Sequence, residues 1–277
     1  DAQESRGLGD VYKRQVYLAQ QLHGEVISAD SMQVYRELRI GTARPTPEEM
    51  QGIPHHLMGT VALKEPYHVA RYTKEAHAAI RQVAARGRLP ILCGGTGLYI
   101  RSVVDNLTYT DEPSSPACRE ELKRRYESEG GQALLAELAQ NDPETASRLH
   151  PNDAGRIIRA LELYATTGMT MSQHRQLSHC RPSPYNVYLL TLDCRDRQVL
   201  YSRINRRVDV MLQEGLVQEA ERLLATPHAP TAMQAIGYKE LGPYFEGRIS
   251  FEEAVENIKR GTRRYAKRQL SWFRGME

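Results

Sequence analysis

A carboxylate stands directly after the apolar run Val26-Ile27-Ser28-Ala29, at Asp30, and opens the stretch Asp30-Ser31-Met32-Gln33. Ligands of open α/β sheets collect at the carboxyl ends of the strands, so Asp30 is placed where a bound ligand would meet it. Aspartate also caps helices, and the sequence leaves both readings open. A second apolar run, Leu89 to Cys93, leads into Gly94-Gly95-Thr96-Gly97. Glycines there admit close approach of a ligand to the backbone, and Thr96 offers a hydroxyl. The quartet is neither GxGxxG nor GxxxxGK followed by Ser or Thr, so by itself it means a tight turn.

The cations fall at helical spacing. Arg203 and Arg207, four apart, can hold a phosphate or carboxylate together, with Asp209 and Asp196 as the competing partners. Arg156 and Arg159 share a face that suits phosphates along a nucleic-acid backbone or simply solvent. From Asn257 to Arg274 there is no acidic residue, and Lys259, Arg263, Lys267 and Arg260, Arg264, Arg268 form two ridges. Like charges at i, i+4 destabilise a helix, so an anionic partner, nucleic acid above all, is expected there. Tyr265, Trp272 and Phe273 are expected to anchor the opposite side in the core. His55 and His56 follow Pro54 in what reads as a loop, with no third ligand near enough in sequence to suggest a metal.

These residues need a scaffold. Three segments read as buried strands: Glu25 to Ala29, Leu89 to Cys93 and Asn186 to Leu192. Between the first two, Thr46-Pro47-Glu48-Glu49 has the spacing of a capping box, and Tyr72 to Arg86 carries Ala76, Ala79, Ile80 and Val83 on one face before Gly87. Strand alternating with helix implies a doubly wound parallel sheet. Between proline-rich joints the strand signals vanish, which predicts a helical insertion over 113–184 dividing an α/β core into 16–112 and 185–277. Within it Asn152 reads as the cap of a helix, and the mixed charges from Arg119 to Glu127 as a solvated face.

Composition bounds the rest. The 277 residues carry 37 Lys+Arg against 34 Asp+Glu, a net +3, with 40% hydrophobic residues, as in an ordinary globular protein. The apolar charge-free run Leu89 to Ile100 has 12 residues and three glycines, too short for a spanning helix. Four cysteines without CxxC spacing suggest neither a disulfide framework nor a zinc site, and no export signal opens the chain, so a reducing cytoplasm is expected.

Taken in order, Asp30-Ser31-Met32-Gln33-Val34-Tyr35, Ile40-Gly41-Thr42-Ala43-Arg44-Pro45, Pro54-His55-His56, Gly94-Gly95-Thr96-Gly97-Leu98-Tyr99, His150-Pro151-Asn152-Asp153 with Arg156 and Arg159, Gln234-Ala235-Ile236-Gly237-Tyr238, and Lys267-Arg268-Gln269 with Trp272 resemble bacterial tRNA dimethylallyltransferases. The resemblance implies a P-loop-NTPase-like, nucleotide- and ATP-binding type of fold. It implies transfer of a dimethylallyl group from dimethylallyl diphosphate to the exocyclic amine of the adenosine beside the anticodon, in tRNAs reading codons that begin with U. On the same ground Asp30 is the base and Ser31, Met32 and Gln33 line the adenine pocket. Arg207 and a magnesium ion take the diphosphate charge, and Thr96, Arg156, Arg159, Gln234, Gly237 and Lys239 contact the anticodon stem-loop. A monomer is implied. Relatives open with a strand and a GxxxxGK-type loop, which Asp1 to Gln15 does not match, so 1–15 reads as foreign sequence and the loop as absent. Two competing readings are a kinase of the same fold and an RNA-binding remnant without turnover.

Overall fold

The computed structural model describes residues 9–109, 115–178 and 181–276. They form two compact units, one of residues 1–103 with 187–277 and one of residues 104–186. Part of the amino-terminal segment read as foreign, residues 1–8, lies outside the described residues, while α1 already runs over Gly9–Gln21.

The first unit is built on a three-stranded parallel sheet. Strand β1 (Gly24–Ser28) is central, flanked by β2 (His55–His56) and β3 (Leu89–Cys93), with Ile27 opposite both His56 and Leu92. All five β1 residues are buried, as a strand covered on both faces requires. One of them is Glu25, tolerated because Arg86 reaches it at 2.6 Å and His56 at 2.7 Å. The Arg86 hydrogen bond, more than any other contact, holds the Glu25 carboxyl below its usual range. Helix α2 (Pro47–Met50) has both halves of the expected capping box: Glu49 N–H donates to Thr46 Oγ1 at 3.3 Å and Thr46 N–H to Glu49 Oε2 at 3.0 Å. Helix α3 (Val69–Ala85) buries Tyr72, Ala76, Ala79, Ile80 and Val83 and gives way to Gly87 at φ +71°. Helix α4 (Gly97–Val104) leaves the carboxyl end of β3.

Two expectations about strands fail. Asn186 to Leu192 forms no regular element and has no ladder partner among the described residues, and Tyr188 is 94% and Leu190 77% exposed. Apolar, β-branched content makes a segment fit for a strand, but only a neighbour's free edge makes it one. His55–His56, by contrast, is a strand because it lies against β1, and two residues are too few to show alternation in the sequence.

Among its described residues the second unit consists of helices and connections: α5 (Pro116–Glu129), α6 (Gly131–Asn141), α7 (Pro143–Ala146), α8 (Ala154–Thr167) and α9 (Met171–Ser178). Leu122, Leu134, Leu138, Ile157, Ile158 and Leu161 form its core. The helix expected to be capped by Asn152 starts one residue later, on Asp153. Arg119 does not merely face solvent, since its guanidinium lies 2.6 Å from Glu162, a fully buried carboxylate.

Back in the first unit, α10 (Arg197–Gln213), α11 (Leu216–Leu224), α12 (Gly242–Phe245) and the 24-residue α13 (Phe251–Arg274) complete the chain. Helix α13 starts on a Ser250 cap with Glu252 and Glu253 in its first turn and has Arg274 in its last, the charge order its dipole favours.

Candidate functional site

Asp30 sits two residues beyond β1 and does not cap a helix. Residues 31–34 form a turn, and Asp30 Oδ1 organises it by accepting from Met32 N–H at 2.8 Å and Gln33 N–H at 3.1 Å. Oδ2 has no hydrogen-bond partner among the described residues, so one oxygen holds the group in place and the other is open to a substrate. Burial pushes the Asp30 carboxyl above its ordinary range, against the two N–H groups that pull it down. Neighbouring phenols contribute to that dry setting. Tyr72 and Tyr99 stack with ring centroids 4.0 Å apart, and Asp30 raises the pKa of both beyond what burial does. A carboxylate whose proton affinity burial raises above that in water is, in its charged form, suited to taking a proton from a weakly acidic amine.

The glycine-rich turn meets Asp30 in space. Ala29 N–H donates to Cys93 O at 2.8 Å and Thr96 N–H to Ala29 O at 3.0 Å, which continues the β1–β3 pairing past both strands. Thr96 Oγ1 then accepts from Ser31 N–H at 3.0 Å and donates to Ser31 Oγ at 3.3 Å. Gly94 makes this crossing possible, because a Cβ there would lie 2.3 Å from Ala29 O. Gly94→Ala is therefore expected to cost about 1–3 kcal/mol, since the obstacle is hydrogen-bonded backbone that cannot step aside. Gly155→Ala, at an open position of α8, should instead stabilise by up to about 1 kcal/mol. Urea midpoints of the two variants check both signs.

Gln33 is buried, its amide receiving Ser28 Oγ–H at 3.3 Å and donating to Thr42 O at 3.1 Å. It thus ties the Asp30 turn to the 39–42 loop, which is itself held by Glu219 of α11. Glu219 Oε1 accepts from the N–H groups of Arg39, Ile40 and Gly41 at 3.2, 2.9 and 3.3 Å and from Tyr238 Oη–H at 2.5 Å. Gly41 N–H also donates to Tyr238 Oη at 3.1 Å. In the Gln234 to Lys239 stretch, Tyr238 and Gly237 (φ +102°) are accordingly buried in this support, while Gln234 and Lys239 are exposed. Glu219 escaped the sequence reading, although a signal existed: it interrupts the buried stripe Leu216, Ala220 and Leu223.

Arg207 lies on α10 with its Nε buried and without a hydrogen-bond partner among the described residues. Both carboxylates that could have claimed it are engaged elsewhere: Asp196 caps α10 through Gln198 and Val199 N–H, and Asp209 pairs with Lys259 at 2.6 Å. A buried guanidinium donor left unpaired is suited to an anion from outside the chain. The expected cation ridges of α13 divide. Lys259 and Arg263 are turned inward, Arg263 onto Asn205 at 2.7 Å and Glu256 at 2.8 Å, because α13 packs along α10. Arg260, Arg264, Lys267 and Arg268 remain exposed. In the second unit Arg156 is exposed, whereas Arg159 pairs with Glu162 at 3.1 Å.

The sequence model of the family described as IPP transferase matches residues 33–276. The chain belongs to that family. A tRNA dimethylallyltransferase of Thermoanaerobacter sp. (strain X514) is 48% identical over 268 residues, covering 96% of this chain and 85% of the relative. That of Bacillus subtilis (strain 168) is 46% identical over 260 residues, covering 94% and 82%. The solved full-length tRNA isopentenylpyrophosphate transferase of Bacillus halodurans superposes with a TM-score of 0.68 at 45% identity, over 96% of this chain and 83% of that one. A eukaryotic dimethylallyltransferase, solved acting on tRNA, superposes with a TM-score of 0.74 at 31% identity, over 96% and 66%. Membership agrees with the α/β sheet of this IPP transferase family chain.

Proposed function

We propose that this chain transfers a dimethylallyl group from dimethylallyl diphosphate to the exocyclic amine of an adenosine beside the anticodon of tRNA, forming N6-isopentenyladenosine. The observation that carries the reading is Asp30, pinned through one oxygen, open at the other and made more basic by burial, in a chain of this family. The amine nitrogen bonds to C1 of the dimethylallyl group as the C1–O bond breaks, its electron pair leaving with the diphosphate. Asp30 takes the proton that the nitrogen sheds. The lone pair of that amine is delocalised into the purine, so removal of the proton is where a positioned base helps most. Arg207, with its unpaired donor, meets the charge that develops on the leaving group. Ser31, Met32 and Gln33 frame the adenine with Thr96, and the base must leave its stack to reach them.

Magnesium belongs to the proposal as an ion that arrives with the diphosphate and neutralises part of its charge. Among the described residues no group of three or more His, Cys, Asp or Glu could hold a metal, and no step is routed through one. No helix among the described residues is long and apolar enough to cross a membrane, and the cytoplasm, where tRNA resides, is the proposed location.

Labelled dimethylallyl diphosphate and an anticodon stem-loop test the reading. Label should enter the RNA when adenosine follows the anticodon and not when guanosine replaces it. ATP-dependent phosphoryl transfer with no prenyl transfer would return the chain to the kinases. RNA affinity should fall with salt by a log slope of about 0.9 per phosphate contacted on duplex, and Arg156→Ala should flatten that slope. A salt-independent affinity would remove Arg156 and the exposed α13 cations from the RNA surface.

A further inference from the structure

Helix α13 was expected to bury Tyr265 and Trp272 as core anchors, yet both face the glycine-rich turn. Tyr265, Gln269 and Trp272 stand at i, i+4 and i+7, one face of the helix. Gln269 Nε2–H donates to Gly95 O at 2.9 Å, and Tyr265 Oη–H reaches the same carbonyl at 3.4 Å. A side chain on Gly95 or Gly97 would displace this face: a Cβ on Gly95 would lie 1.9 Å from Gln269 Nε2, and one on Gly97 2.2 Å from the Trp272 indole. The absent side chains of the turn thus make room for α13. Tyr265 also lies within electrostatic reach of Asp30 and hydrogen-bonding reach of Thr96, which shift its phenol in opposite directions after burial has raised it.

The Gly95 carbonyl and the Thr96 N–H belong to one peptide plane, so fixing the carbonyl fixes the direction of that N–H. Thr96 N–H meets Ala29 O, and Thr96 Oγ1 receives Ser31 N–H, the first amide of the turn that Asp30 organises. Two adjacent glycines have the widest backbone freedom any dipeptide has, and without an external hold the plane could rotate away. We propose that Tyr265 and Gln269 are positioning residues which, through the Gly95–Thr96 peptide, hold the Asp30 turn in the geometry proton transfer needs. This rests on the reading of Asp30 as the base. It assigns α13 two jobs on two faces, with Arg264 and Lys267 exposed on the outer one and the Arg268 guanidinium over the Tyr265 ring, 5.7 Å from its centroid.

Gln269→Glu tests the hold at constant volume, because it sets an acceptor against the Gly95 carbonyl where a donor stood. Tyr265→Phe removes the second donor and keeps the ring. Each should lower kcat about tenfold, equivalent to about 1.4 kcal/mol, with little change in KM for the stem-loop or in Tm. The Gln269→Glu deficit should narrow as pH falls and the introduced carboxyl, once protonated, donates again. Amide hydrogen exchange read by NMR needs no turnover: the Ser31 and Thr96 amides should exchange about tenfold faster in both variants, with Ile27 in β1 unchanged. Unchanged exchange at Ser31 and Thr96 overturns the proposal, as does a loss of kcat that follows Tm alone. If Asp30→Asn retains full turnover while exchange rises as expected, the base reading has failed and the mechanical hold stands.

Discussion

Asp30→Asn is expected to keep stem-loop affinity and lose about a hundredfold or more of kcat. The amide preserves shape and can still accept from Met32 and Gln33 N–H, so the turn survives, but it cannot take a proton. Burial raises the wild-type carboxyl above the ordinary value of 3.8, and turnover requires the charged form. The acid limb of the kcat profile should therefore lie above the ordinary carboxylate range, with activity lost as pH falls through the folded-state pKa. Stability runs the other way. A folded state that binds this proton more tightly than the unfolded chain is favoured below 3.8 and loses that advantage as pH rises through the folded pKa. Above the folded-state pKa the buried charge is a cost, so there Asp30→Asn should unfold at a higher Tm than wild type, a gain that fades as pH falls through that pKa. A variant with wild-type turnover would reduce Asp30 to the organiser of a turn.

Glu219→Ala should have the largest effect on stability. The wild-type carboxylate receives the N–H groups of Arg39, Ile40 and Gly41 and the Tyr238 hydroxyl, and Ala would leave them without that partner beneath a residue that is 4% exposed. An unsatisfied buried donor costs about 1–3 kcal/mol, and because the four share one acceptor the losses do not add fully. A total of about 3–5 kcal/mol is expected, read as a lower urea midpoint at unchanged m. Glu219→Gln, which keeps an acceptor oxygen, should lose about 1 kcal/mol. The 39–42 loop also receives Gln33 at Thr42 O, so Glu219→Ala should loosen the adenine side of the site and raise KM. A loss below about 1 kcal/mol would mean that water replaces the carboxylate and that the loop needs no such anchor.

Where chemistry is local, the sequence alone determined the outcome. The Thr46-Pro47-Glu48-Glu49 box, the buried stripe of α3 and the strand Leu89–Cys93 follow from spacings of a few residues, and all three stand in the structure, although that strand is not buried as expected and Leu89 is 46% exposed. The Asp30 and Thr96 segments were legible as strand ends, and the order of such segments along the chain was enough for the family. What each polar group faces was decided by tertiary structure. Asp30 organises a turn instead of a helix cap, and Arg207 is left free because Asp196 and Asp209 are claimed by other groups. Lys259 and Arg263 leave the basic surface for α10, Arg119 and Arg159 converge on Glu162, and Tyr265 and Gln269 turn to Gly95. Asn186 to Leu192 has a strand's composition and no strand beside it. One physical reason covers the long-range cases among these. Caps, turns and helical stripes are made between residues a few positions apart, whereas ladders, ion pairs and glycine contacts join residues tens to nearly two hundred apart, and their partners exist only once the chain has packed.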